Sequence, residues 1–124
     1  MRTSSRLLAA LPVLFFVLTG AQNLFANSVT FDFSFSGTGI SSSGTFAATL
    51  VSGDEYLVTS ISGMQNGSAM TLLAPGTYAA NNNEVFSSSP FLSFGGLAFV
   101  LASGSTDYNI YYNAGTKSYF ECNS

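Results

Sequence analysis

Six carboxylates, six tyrosines and one cysteine are the side chains here with chemistry to offer, and the 124 residues include no histidine. Without imidazole neither a Ser-His-Asp nor a Cys-His arrangement can be assembled, and a His-ligated metal is excluded. The carboxylates are Asp32, Asp54, Glu55, Glu84, Asp107 and Glu121. Only Asp54 and Glu55 are adjacent, and they follow Gly53. A glycosidase pair faces itself across a cleft, so these two read as a solvated turn. Asp32 interrupts the polar face of a strand and Asp107 opens another; both read as exposed. Oxygen ligands are plentiful, but no DxDxDG-like spacing gathers them for calcium. The glycine-rich run GTGISSSG (37–44) lacks the lysine and the following helix of a phosphate loop. No catalytic residue, cofactor or metal is assigned, and a non-enzymatic protein is expected.

The remaining chemistry is aromatic. Tyr108–Tyr112 and Lys117–Cys122 flank Asn113-Ala114-Gly115-Thr116 and read as a hairpin. A two-residue turn at Ala114-Gly115 would mix polar and apolar side chains on both faces. A three-residue loop with Gly115 in the left-handed region shifts the parity by one. Tyr108, Ile110, Tyr112, Phe120 and Cys122 then share the inner side, and Asn109, Tyr111, Lys117, Tyr119 and Glu121 the outer. On that register Asn109, Tyr111 and Tyr119 form a surface patch able to stack on sugar rings or meet a surface protein. Ordinary cross-strand pairing explains the same residues.

The elements that would position this patch are strands. Ser28–Ser36 (SVTFDFSFS) alternates apolar and polar residues without a break, which puts Val29, Phe31, Phe33 and Phe35 on one face. Gly37, Gly39 and Gly44 around three serines read as a flexible turn, with Gly37 and Gly39 on the inward parity. Gly44–Val51 is a second strand with Phe46, Ala48 and Leu50 inward. Tyr56–Gln65 and Ser68–Leu73 flank Asn66-Gly67, a pair suited to a type I′ turn. That turn sets Gln65 opposite Ser68 and puts Leu57, Ile61, Met70 and Leu72 on one face. Asn81-Asn82-Asn83 reads as a loop, Glu84–Phe86 as a brief edge strand, and LAFVL (97–101) as a strand buried on both faces. No segment after residue 26 has a helical period. The expected fold is all-β, a small antiparallel meander closed into a barrel, with a two-layer β-sandwich as the alternative.

The amino end has a different character. Arg2 and Arg6 precede the 12-residue apolar run Leu7–Leu18, followed by small residues at Thr19, Gly20, Ala21 and Ala26. That order is the one found in secretory signal peptides, and a spanning helix needs about 20 apolar residues. Residues 1–26 are therefore expected to be a signal peptide, cut after Ala21 or Ala26. Residues 27–124 would form a single domain without a permanent membrane span. Its removal leaves Lys117 as the only base against six carboxylates, which argues against nucleic acid and against attraction to anionic lipid. Charged residues are 7% of the chain, against roughly 25% in an average soluble protein, so hydroxyls and amides must solvate its surface. Cys122 has no partner for an internal disulfide and reads as a half-buried strand residue, with an intermolecular bridge as the alternative.

Taken together, FDFSFSGTGISSSGTF, GDEYLVTSISGMQNG and YNIYYNAGTKSYFEC resemble a group of uncharacterised, Gly/Ser/Thr-rich exported bacterial proteins of the PEP-CTERM sorting class. The resemblance covers nearly all of residues 27–124 and is one of texture and order. It implies an extracellular or exopolysaccharide-associated role and carries over no functional residues. Proteins of that class usually end in a Pro-Glu-Pro box, an apolar helix and a basic cluster. None of the three stands before Ser124, so the resemblance implies a chain truncated ahead of them. The expected function is a structural, adhesive or matrix-associated role at the cell surface. The alternative is a barrel holding a small apolar ligand, suggested by the inward phenylalanines and by Gly37 and Gly39.

Overall fold

The computed structural model describes residues 8–11, 13–18 and 28–124. They form one curled antiparallel sheet, and no helix occurs among the described residues. The strands are β1 (Leu8–Leu11), β2 (Val13–Leu18), β3 (Ser28–Gly37), β4 (Ile40–Ser52), β5 (Glu55–Gln65), β6 (Ser68–Leu72), β7 (Glu84–Phe86), β8 (Leu97–Leu101), β9 (Asp107–Asn113) and β10 (Ser118–Asn123). Their order across the sheet is β1-β10-β9-β8-β6-β5-β4-β3-β2, with β7 beside β5.

Alternation on β3 produces the burial it predicts. Val29, Phe31, Phe33 and Phe35 are buried, and Phe46 and Ala48 of β4 join them opposite Phe31 and Val29. The rings of Phe31 and Phe46 lie 5.3 Å apart, and those of Phe33 and Phe46 lie 5.7 Å apart. Aromatic pairs at these separations add stability beyond the area that they bury. Phe33 faces Gly44, which in turn faces Gly63. A Cβ at Gly63 would meet the Phe33 ring and the Ser43 carbonyl at 2.7 Å each, so the ring occupies the space that two missing side chains leave.

Several expectations change. The serine run is not a flexible turn. The chain reverses at Thr38-Gly39, with Gly39 at φ 73°, and Ile40–Ser43 pair with Ser34–Gly37 as part of β4. Gly39 is therefore an exposed turn residue and not an inward gap. On β5, Ala47 pairs with Ser60 but Ala48 pairs with Val58. Thr59 is thus a bulge, and a bulge reverses the parity beyond it. Tyr56 and Val58 are buried, and Leu57 lies on the opposite face to Ile61. Asn66-Gly67 does set Gln65 opposite Ser68, with φ 51° and 81°. Beyond that turn β6 leaves β5 and pairs Met70–Leu72 with β8.

A second layer covers the other face of β8 and β9. Asn81 and Asn83 are buried. The Asn81 side-chain amide donates to Asn83 Oδ1 at 2.7 Å, Asn83 Nδ2 donates to the Leu73 carbonyl at 2.7 Å, and the Ala98 amide donates to Asn83 Oδ1 at 3.2 Å. These bonds fold the 73–96 segment over the sheet. Leu97, Ala98, Phe99 and Leu101 are accordingly buried, as expected of a strand enclosed on both sides. Cys122 is a free, buried thiol on β10.

Residues 8–11 and 13–18 of the amino-terminal apolar run lie within the sheet. β1 pairs with β10, Leu8 opposite Cys122 and Leu11 opposite Tyr119, and β2 pairs with β3, Val13 opposite Ser36 and Leu18 opposite Phe31. Only Pro12 separates the two strands, yet they stand at the two ends of the order. Arg2, Arg6 and both expected cleavage points lie outside the described residues.

Candidate functional site

The last hairpin decides where the aromatic residues go. Ser118 pairs with Asn113, Tyr119 with Tyr112, Phe120 with Tyr111 and Glu121 with Ile110. The loop thus has four residues, Ala114–Lys117, and it is Lys117, at φ 54°, that takes the left-handed conformation. Asn113 organises the turn: its Oδ1 accepts the amides of Gly115 at 2.9 Å and Thr116 at 3.3 Å. An Asn side chain that receives amides two and three residues on closes such a turn unaided. This extra residue reverses the faces of β10 relative to the three-residue register.

The expected patch is consequently not gathered. Asn109 and Tyr111 share a face and Tyr119 lies on the other. Asn109 is buried beneath the second layer, with its side-chain amide donating to the Gly95 carbonyl at 2.9 Å. Tyr119 packs against Tyr112 with ring centroids 5.1 Å apart, and its hydroxyl oxygen accepts the Phe91 amide at 2.9 Å. Tyr111 is half-buried between Phe120, 5.8 Å away, and Phe94, 5.6 Å away and nearly perpendicular at 80°.

Phe94 is the residue that sequence reasoning passed over. It is 73% exposed, the most exposed of the large hydrophobic side chains named among the described residues. It stands on the rim of an open groove of about 610 Å³ lined by Phe86, Leu92, Ser93, Tyr112 and Asn113. Gly95-Gly96 directly after it was the available signal. Gly96 has φ 77°, and a Cβ there would run into Asn109 Oδ1 and the Ile110 carbonyl. The chain must pass this close to β9 to leave Phe94 projecting.

The same reversal carries Glu121 inward. Ser42 Oγ donates to Gln65 Oε1 at 2.7 Å, and Gln65 Nε2 donates to Glu121 Oε1 at 2.9 Å. All three are buried, and Glu121 Oε2 has no hydrogen-bond partner among the described residues. Burial pushes the Glu121 carboxyl up to about 7, against a smaller opposing pull from the Gln65 hydrogen bond. A recess of about 270 Å³ adjoins it, walled by Thr38, Ile40, Asn66, Tyr108 and Asn123. The carboxyl is linked to Ser42 through Gln65.

The other carboxylates lie on the outer surface. Asp54 is exposed in its turn and accepts Ser88 Oγ at 2.7 Å. Glu84 is raised above the usual carboxylate value, first by a hydrogen bond with Glu55, then by burial and by repulsion from Glu55. No group of three or more His, Cys, Asp or Glu side chains able to hold a metal ion occurs among the described residues.

The class these observations define is an antiparallel all-β domain with a curled sheet. No protein-family model, curated protein or solved structure matches the chain.

Proposed function

We propose that the chain is an exported, non-enzymatic β-domain with an adhesive, matrix-associated role at the cell surface, and that its aromatic groove contacts extracellular polysaccharide. The observation that carries this reading is Phe94, 73% exposed at the mouth of the 610 Å³ groove. A flat apolar ring beside Ser93 and Asn113 offers a sugar both a stacking surface and hydrogen-bonding groups. The leader-like order of residues 1–26 supports export, and the hydroxyl- and amide-rich surface supports a role among hydrated polymers. The small-ligand barrel has less support, because Phe31, Phe33, Phe35 and Phe46 stack on one another across the inner face. In the finer reading of the fold, residues 8–11 and 13–18 close the curled sheet into a barrel only in the uncleaved chain, by pairing with β10 and β3.

Retention on immobilised exopolysaccharide tests the binding. Phe94→Ala is expected to lose retention with an unchanged melting temperature, since the ring is mostly in solvent. Equal retention by both proteins overturns the groove. A reporter fused after Ala26 tests export, and a reporter left in the cytoplasm overturns that part of the reading.

A further inference from the structure

The two strands at the ends of the sheet order come from one short stretch of chain. Residues 8–11 run along β10 in four register pairs, and residues 13–18 run along β3 in six. Residues 8–11 and 13–18, adjacent in sequence, therefore cover two edges. The segment bears no charge.

The edges beneath it need a cover. β3 is ten residues long, carries Phe31, Phe33 and Phe35 on its inner face, and has Asp32 as its only charge. It contains no lysine and no proline. Natural sheets use those residues to protect an open edge, and a long apolar edge without them pairs with whatever strand it meets. On β10, removal of the neighbouring strand would uncover the backbone opposite Ala9, at Glu121.

We propose that the seam between β3 and β10 is a strand-acceptor site, and that once residues 1–26 are removed it takes an extended, uncharged apolar peptide segment of about eleven residues from another chain. The proposal rests on the reading of residues 1–26 as a cleaved leader. The seam's chemistry is defined by the segment seated in it: main-chain hydrogen bonds from both edges supply affinity, and alternate side chains supply fit. A second copy of this chain answers less well. It would offer one sheet edge, which can pair with β3 or β10 but cannot turn from one to the other.

The test uses the full chain and a fluorescent peptide of residues 7–19 with flanking lysines for solubility. In the wild-type chain the tethered segment competes at high effective concentration and masks the seam. In the variant Phe15→Pro with Phe16→Pro, the tethered β2 cannot donate its ladder bond to β3 whichever of the two amides faces it. That variant is expected to bind the peptide at least about tenfold more tightly than wild type, with new hydrogen-exchange protection at 28–37 and 118–123. If the variant is unfolded alone, refolding on addition of peptide supports the site, and failure to refold overturns it. A folded variant that ignores the peptide overturns it, as does uptake without protection of those two strands. A dimer that the peptide does not dissociate overturns it in favour of a second copy. Peptide uptake in solution does not depend on export, so a leader that fails the reporter assay is read separately.

Discussion

Gln65 and Glu121 stand 56 positions apart in the chain, on strands that are not neighbours, and meet through a 2.9 Å hydrogen bond across the inner face of the sheet. The bond ties β5 to β10 and so sets how far the sheet curls at that end. Gln65 is itself held by Ser42, so the three side chains form one buried polar line.

Stability should fall as pH rises through the Glu121 titration. The carboxyl ionises at about 7 in the folded chain and near the ordinary 4.5 when unfolded. The folded state therefore binds the proton more tightly, and between those two values the unfolded state holds fewer protons. Stability is greatest below pH 4.5, declines by up to about 1.4 kcal/mol per unit towards pH 7, and levels off above. Urea unfolding midpoints across pH 4 to 8 measure the slope. Glu121→Gln should flatten it, leaving only the weaker contribution of Glu84, which has the same sign. An unchanged slope in Glu121→Gln would refute the assignment.

Gln65→Leu should cost about 1–3 kcal/mol, because it leaves Glu121 buried with neither oxygen paired. Adding Glu121→Leu should recover part of that loss, since replacing both partners by apolar groups removes the unsatisfied carboxyl. A double-mutant cycle from equilibrium unfolding gives the coupling. Strict additivity of the two changes would mean that the bond contributes nothing.

Glycine substitutions separate the two possible hairpin registers. Lys117 adopts φ 54°, so Lys117→Gly should stabilise the domain by up to about 1 kcal/mol. Gly115→Ala should be close to neutral, its new Cβ meeting only Asn113 Oδ1 at 3.1 Å. The three-residue register predicts the opposite ranking. Gly96→Ala should be the most damaging of the three, at roughly 2 kcal/mol or more, since strain at φ 77° adds to overlap with the β9 backbone. Melting temperatures of the three variants decide the matter.

Asn83→Ala should destabilise the chain by about 2–3 kcal/mol. It removes the acceptor of the Ala98 amide and the donor to Leu73, and it puts alanine at φ 56° in a fully buried position. Asn82→Ala, on the partly exposed neighbour, should cost less. Equal losses would mean that the asparagine run acts as an ordinary loop.

Much of the sheet was legible because it follows period-two alternation and turn chemistry. The phenylalanines of β3, the Asn66-Gly67 reversal and the enclosed LAFVL strand are all of this kind. What was not legible depends on single inserted residues. Thr59 looks like any strand threonine, and Leu57 and Val58 are both apolar, so the pattern could not tell which of them faces inward. In the last hairpin, Asn113 closing a longer loop moved Glu121 from the surface to the interior and separated Tyr119 from Tyr111. The patch was read from parity, and parity is lost whenever one residue is added. Phe94 depends instead on Gly96 approaching β9, a long-range contact that leaves no periodic trace.

The pairing of Leu8 with Cys122 also governs the order of assembly. In the uncleaved chain the two residues stand 114 positions apart. Pairings between such distant parts of a chain form slowly, because closing the intervening loop costs entropy before any contact repays it. Hairpins such as β3–β4 and β5–β6 close only short loops and can form first. While the leader is still attached, the pairing along β10 therefore comes last, and residues 8–11 stay unpaired longest.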